Sequence, residues 1–261
     1  MANNNIYVIG DTIIDVNTYG EPIGLSAETP TVCIRSERET TTWGGAAFVV
    51  RNLQALDQPV KFVSNAHVGL PPATKHRFWC NGYKLLQVNY VTPTQGKDQS
   101  EELINLVQPT KGDLVIFADY RHGLLGESAV RVLMAKCKSL GAIIFVDSQV
   151  SKKPSNHHWY TQADFMFVNE QEMQYVPDEF SGTAVVKRGA NGASEFRNGA
   201  EIYVPGHLVN VVDTCGAGDA FLAAYVYQYL RSPSTALEFA NRWAALKCTK
   251  TGMETPSLAD V

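Results

Sequence analysis

The chain has 261 residues, 45% hydrophobic, with a formal net charge of −4. That length can bury a full core, as one large domain or a domain with a small appendage, and the charge excludes the global basic field that nucleic acid or an anionic membrane selects. No apolar run approaches the roughly 20 residues of a membrane helix, and the opening "MANNNIYVIGD" lacks a basic segment followed by an apolar leader core.

The first strand-like run is "IYVIG", ended by Asp11. Residues 16–43 then turn rich in Thr, Glu and Pro, and "TVCIRSERETTTW" alternates in strand fashion. This reads as a small β excursion from Val16 to Trp43 rather than a separate domain. Gly44-Gly45 precede "AAFVVRNLQAL", whose apolar residues recur at helical spacing. Further on, "PVKFVSN", "DLVIFAD", "AIIFVD", "DFMFVN" and "TAVVKRG" have the length and β-branched content of buried strands. The segments "SAVRVLMAKCKSLG" and "FLAAYVYQYL" read as amphipathic helices between or after them. Strand then helix, repeated, predicts an α/β fold with a mostly parallel sheet covered on both faces. Several strands end in a polar residue, namely Asp11, Asp119, Asp147 and Asn169, and in such sheets ligands lie beyond the carboxyl ends of the strands.

Five cysteines (Cys33, Cys80, Cys137, Cys215, Cys248) are dispersed without a C-x-x-C pair, which reads as reduced thiols in a cytoplasmic protein and argues against zinc. The six histidines show no metal-ligand spacing; His157-His158 read as exposed loop residues, and Lys152-Lys153 as solvated surface.

The segment "DTCGAGDAFLAAYVYQYL" carries the chemistry. Gly216, Ala217 and Gly218 leave backbone N–H groups bare at the mouth of an apolar helix, which with the helix dipole makes an anion site. The plain reading of Asp219 is an acid favoured in a first helical turn. The sharper reading is a general base that takes a proton from an attacking hydroxyl beside that anion site. A dinucleotide fingerprint needs a glycine where Phe221 stands, and no G-x-x-x-x-G-K-[ST] loop occurs.

The order "GDTIIDVNTYG", "WGGAAFVVRNL", "ADYRHG", "VNEQE", "VVKRGANG", "DTCGAGDAF" and "ANRWAALKCTKTG" resembles the PfkB (ribokinase-like) carbohydrate kinases over nearly the whole chain. Asp213 to Asp219 match that family's D-T-x-G-A-G-D signature, and the nearest likeness is to the kinase part of bacterial heptose-phosphate kinases. The resemblance implies a three-layer α/β/α domain over residues 1–261 with residues 16–43 as a small β lid. It implies a phosphotransferase that passes the γ-phosphoryl of ATP to a sugar or sugar-phosphate hydroxyl, a heptose 7-phosphate among the candidates, with Mg²⁺ and in some members a monovalent cation. Asp219 would be the base, with Gly216, Ala217 and Gly218 as anion hole. Asn169, Lys187, Gly189, Gly192 and Asn241 would serve the nucleotide, and Glu172 the metal through water. Asp11, Asp15, Gly44 and Gly45 would receive the sugar. Plainer readings stand beside these: Asp15 as a loop cap, Gly44-Gly45 as a turn, Asn169 and Glu172 as surface residues at a helix start, and Lys187 as solvated. The expected partners are a small-molecule sugar and a second copy of the chain, with no nucleic acid and no membrane.

The departures fall on the sugar side. Phe48 stands where heptose kinases usually carry Asn, and His122 where they commonly have Lys. "VDSQV" lacks the Pro-Lys that often follows Asp147, and the stretch from His67 to Val91 is shorter than usual by about one helix and strand. Phe48 either faces the sugar and disfavours the heptose phosphate, or turns into the core. The chain ends soon after "GMETPSLADV", so no fused nucleotidyltransferase domain is expected. A nucleoside or other polyol kinase of the same fold, and a catalytically silent sugar- or nucleotide-binding module, remain as alternatives.

Overall fold

The computed structural model describes residues 4–91, 99–150 and 154–261; Lys152-Lys153 lie outside them. In chain order the elements are β1 (Ile6–Gly10), β2 (Thr12–Leu25), β3 (Val32–Gly45), α1 (Ala46–Ala55), β4 (Val60–Val63), β5 (Ala73–Cys80), β6 (Tyr83–Tyr90) and α2 (Ser100–Leu106). They continue with β7 (Leu114–Asp119), α3 (Glu127–Ser139), β8 (Ile143–Ser148), β9 (Phe165–Asn169), β10 (Thr183–Lys187), β11 (Ala193–Arg197), β12 (Ala200–Val204), α4 (Ala217–Arg231) and α5 (Ala236–Cys248).

Eight strands form the main sheet in the order β12-β11-β10-β9-β8-β7-β1-β4. From β10 to β4 all neighbours run parallel, and β11 and β12 extend the edge antiparallel. Successive side chains of a strand point to opposite faces, and the core divides accordingly. Ile6 and Val8 of β1, with Leu114, Ile116 and Ala118 of β7, pack on α1, α4 and α5. Tyr7, Ile9, Val115 and Phe117 pack on the α2–α3 side. Every residue of β1 and β7 is therefore buried, which is why those runs read as continuously apolar rather than alternating.

The second sheet, β3-β2-β5-β6, is broader than the excursion at residues 16–43 read from the sequence. Strand β2 starts at Thr12, with only Asp11 between it and the end of β1, and pairs with β3 out to Leu25↔Val32. On its other side β2 pairs in parallel with β5, which pairs with β6. The stretch from His67 to Val91 thus holds two strands of this sheet. The chain leaves the main sheet at Asp11 and returns through Gly44-Gly45 into α1. A Cβ on Gly45 (φ 63°) would lie 2.4 Å from the Asp11 carbonyl oxygen, so this return admits only glycine.

Candidate active site

The parallel strands β1, β7, β8, β9 and β10 all end on the same side, where α4 begins. Gly216 caps that helix in the left-handed region (φ 74°), with no side-chain cap. Asp213 shapes the approach: its Oδ1 accepts from Cys215 N (2.9 Å) and its Oδ2 from Gly252 N (2.9 Å). Ala217 N donates to the Thr214 carbonyl and Ala220 N to the Gly216 carbonyl. Among the described residues the N–H groups of Gly216, Gly218 and Asp219 have no such acceptor, so they are the ones open to an anion. Ala217, expected in that set, has its N–H engaged.

Asp219, on the first turn of α4, lines a polar hollow of about 360 Å³ with Asp147, Asn169, Glu172, Lys187 and the glycine loop. Burial pushes its carboxyl up to about 7; the hydrogen bond from Tyr120 opposes the rise, Asp147 adds to it, and Lys187 and Lys75 oppose it. Lys187 donates to Asp147. Burial alone would lower the Lys187 pKa, but the Asp147 carboxylate reverses the sign and holds it above its usual value, so it stays an ammonium. Its Nζ stands 3.5 Å from where a Gly218 Cβ would be.

Asn169 and Glu172 brace each other. Asn169 N donates to Glu172 Oε2 (2.9 Å), and Glu172 N donates to Asn169 Oδ1 (2.8 Å). Val150 N reaches Glu172 Oε1 at 3.3 Å. No three His, Cys, Asp or Glu side chains cluster as a ready metal cage among the described residues. The hard oxygens of Glu172 and Asn169 on the polar hollow nonetheless suit Mg²⁺, which keeps several waters and takes one or two carboxylates together with phosphate oxygens.

A second hollow, about 320 Å³ and mostly apolar, shares Lys187, Thr214, Ala217 and Gly218 with the polar one and continues past Gly189, Gly192, His207, Val211, Ala244 and Asn241. Gly192 is confined to glycine, because its φ is 92° and a Cβ would lie 2.1 Å from the Val204 carbonyl oxygen. Asn241 Nδ2 donates to the Pro205 carbonyl (2.7 Å) and so ties α5 to the loop after β12. A flat apolar trough opening onto a polar hollow with bare N–H groups fits a ligand with an aromatic end and a polyanionic end.

On the other side the structure brings Asp11, Asp15, Gly44 and Gly45 together. Asp15 is 3% exposed and accepts from Arg77 of β5 at 2.5 Å; its Oδ2 lies 2.3 Å from where a Cβ on Gly44 would stand. Asp11 is 2% exposed and accepts from the backbone of His122 (3.2 Å) and Leu124 (3.1 Å). Burial pushes its carboxyl up to about 7, Asp119 adding to the rise. Its hydrogen bonds organise the loop after β7 rather than standing open to a sugar.

Phe48 takes the core position. It is fully buried, and a Cβ on Gly216 would lie 2.4 Å from its ring. The ring is the floor beneath the glycine loop, so of its two possible environments it takes the core and not the sugar side. Lys247, also fully buried, sets its ammonium 6.0 Å from the same ring with no hydrogen-bond partner among the described residues. His157, expected exposed, is buried against Tyr175.

Sequence reading missed Tyr120, Arg77 and the site role of Asp147. Only Asp147 carried a signal, as a polar residue ending a strand.

A family model described as pfkB family carbohydrate kinase matches residues 87–260. The bifunctional protein HldE of Acidiphilium cryptum is 27% identical over 85% of this chain, and the chain spans 55% of that protein's length. Among solved structures, the ribokinase of Arabidopsis thaliana complexed with ribose and ATP superposes with a TM-score of 0.71 at 18% identity, covering 99% of this chain and 95% of that one. The phosphofructokinase-2 of Escherichia coli in complex with fructose-6-phosphate gives 0.74 at 16% identity, covering 98% and 96%. These two likenesses establish the fold.

Proposed function

Because the chain belongs to the pfkB family of carbohydrate kinases, we propose that it transfers the γ-phosphoryl of ATP to a hydroxyl of a sugar or sugar phosphate, with a heptose 7-phosphate as the first acceptor to try. The observation that carries this reading is the meeting of Asp219, three free N–H groups and the Lys187 ammonium in one hollow that opens onto an apolar trough. The adenine lies in the trough beside Asn241 and between Gly189 and Gly192, and the phosphates run toward α4. The acceptor approaches from the Asp15, Gly44 and Gly45 side. Asp219 takes the hydroxyl proton, and a carboxyl near 7 suits a base working near neutral pH. The N–H groups of Gly216, Gly218 and Asp219 receive the charge that gathers on the transferred group. Lys187 adds a fixed positive charge next to Gly218. Glu172, through water, and Asn169 would hold Mg²⁺, which when bound neutralises phosphate charge.

The second sheet acts as a lid over the acceptor and as a contact between two copies of the chain. Its exposed Ile23, Leu25, Val32, Tyr83 and Leu86 support the pairing. No helix among the described residues is long and apolar enough to cross a membrane, and a cytoplasmic location accords with the five free cysteines.

The test is a panel of sugars and sugar phosphates, D-glycero-D-manno-heptose 7-phosphate included, assayed for acceptor-dependent ADP release. Release with at least one acceptor, abolished by chelator, is expected. ATP binding with no release across the panel would favour the silent binding module.

A further inference from the structure

We propose that Tyr120 is a positioning residue for phosphoryl transfer, its hydroxyl holding one oxygen of the Asp219 carboxylate so that the other is presented to the acceptor. The inference rests on the reading of Asp219 as the base.

Tyr120 directly follows β7 and is 9% exposed. Its hydroxyl donates to Asp219 Oδ1 at 2.5 Å, across 99 residues of sequence. Near the N-terminus of α4 an acid would ordinarily turn back to its own free N–H groups; this helix has no side-chain cap, so the carboxylate is drawn instead toward the end of the main sheet. Tyr120 is the one side chain among the described residues that hydrogen-bonds it. Lys187, a donor on the same hollow, is bound to Asp147.

The loop that carries Tyr120 is pinned through the Asp119 side chain before it and through backbone N–H groups after it. Asp119 Oδ1 accepts from Arg121 N (2.8 Å), its Oδ2 from Asn156 (2.7 Å) and Tyr160 (2.8 Å). Asp11 accepts from His122 N and Leu124 N. Arg121 itself sits at φ 62°, a conformation few side chains adopt unless the surroundings impose it. Two buried acids, Asp119 just before the tyrosine and Asp11 of the neighbouring strand end, bind the backbone that follows it and so place its hydroxyl rigidly, as an orienting group requires.

The hydroxyl stays a donor throughout. Burial, Asp219, Asp147 and Asp11 all push the Tyr120 pKa upward. The charges facing the Asp219 carboxyl are Asp147 from β8, Lys187 from β10 and Lys75 from β5. Unlike these, Tyr120 hydrogen-bonds it directly, stabilising the charged form. Its removal therefore raises the pH at which Asp219 gains its proton.

The experiment titrates the Asp219 carboxyl by ¹³C NMR in the full chain labelled at aspartate. The Asp219→Asn spectrum assigns the signal, and Tyr120→Phe and 3-fluorotyrosine at position 120 are compared with wild type. Turnover of D-glycero-D-manno-heptose 7-phosphate and ATP is followed over the same pH range. Tyr120→Phe should move the Asp219 midpoint upward by more than about half a unit. Fluorotyrosine, a stronger and nearly isosteric donor, should move it downward. The acid limb of kcat should follow the midpoint in both proteins, with KM for ATP unchanged. An unmoved midpoint in the fluorotyrosine protein overturns the proposal even if Tyr120→Phe does not fold. Wild-type turnover by Asp219→Asn would instead overturn the base assignment, whatever Tyr120 does.

Discussion

The two sheets meet at Asp11 and solve opposite problems. The main sheet is covered on both faces, and β1 and β7 show no exposed residue. The second sheet keeps one face in solvent, and β6 is exposed along almost its whole length. The groups assigned to phosphoryl transfer stand at strand ends of the first or on the helix behind it, where close packing fixes each to a fraction of an ångström. The groups beside the acceptor come in part from the second: Asp15 from β2, with Arg77 from β5 holding it. On the proposed function, chemistry falls on the covered, stiff layer and choice of acceptor on the exposed, pliant one, so the two properties should be separable.

The largest expected effect lies on the stiff side. Asp219→Asn should lower kcat by ~10² to 10⁴, the loss typical of a general base, while nucleotide binding measured by calorimetry stays within a few-fold of wild type. Because the folded-state carboxyl is raised to about 7, wild-type activity should be present above that pH and fall as pH drops through it. The same sign makes the raised carboxyl costly to the fold at alkaline pH: Asp219→Asn should raise the melting temperature at pH 8 more than at pH 5.5. A variant with wild-type kcat would remove the contrast between the sheets altogether.

On the pliant side, Arg77→Met takes away the partner of Asp15 (2.5 Å). It should raise the acceptor KM about tenfold, the lower range for one charged hydrogen bond, and leave the KM for ATP unchanged. A matching rise in both constants would mean the sheets are not separable. The third expectation concerns association: light scattering at micromolar concentration should give twice the chain mass of 28.7 kDa, and Leu25→Lys should return it to one. A monomeric wild type would leave the exposed face of the second sheet unexplained.

The smallest effect sharpens the comparison from within the stiff side. Lys247 is fully buried without a hydrogen-bond partner among the described residues, and burial lowers its pKa. Lys247→Met should leave the melting temperature unchanged or raise it, by up to about 1–2 kcal/mol of stability, since a similar-sized apolar group avoids the cost of a desolvated charge. A marked fall in melting temperature would show that the ammonium stabilises the floor under the glycine loop.

The parallel sheet was legible because its strands are buried on both faces and so appear as short, unbroken apolar runs. The glycine stretch was legible because its order of residues is rare and its chemistry local. Strands β5 and β6 were not: "ATKHRFWC" and "YKLLQVNY" mix charge and aromatics without clean alternation, and β5 is placed by a parallel pairing with β2 some 60 residues earlier, Asp15↔Lys75 for instance. Helix α5 was cited only as a motif, since "ALEFANRWAALKC" interleaves its apolar face with Asn241, Arg242 and Lys247. Tyr120 was passed over in "ADYRHG" because nothing local joins it to Asp219. Phe48 was open between two environments, and only the tertiary contact with Gly216 decides between them.

The crossings between the sheets at Asp11 and Gly44-Gly45 are also where the acceptor would lie. Strand β2 runs 14 residues on from the first of them, a contour of roughly 45 Å at the usual rise per residue. By leverage alone, any change of angle at these crossings would be magnified toward Leu25 at the far end of the strand.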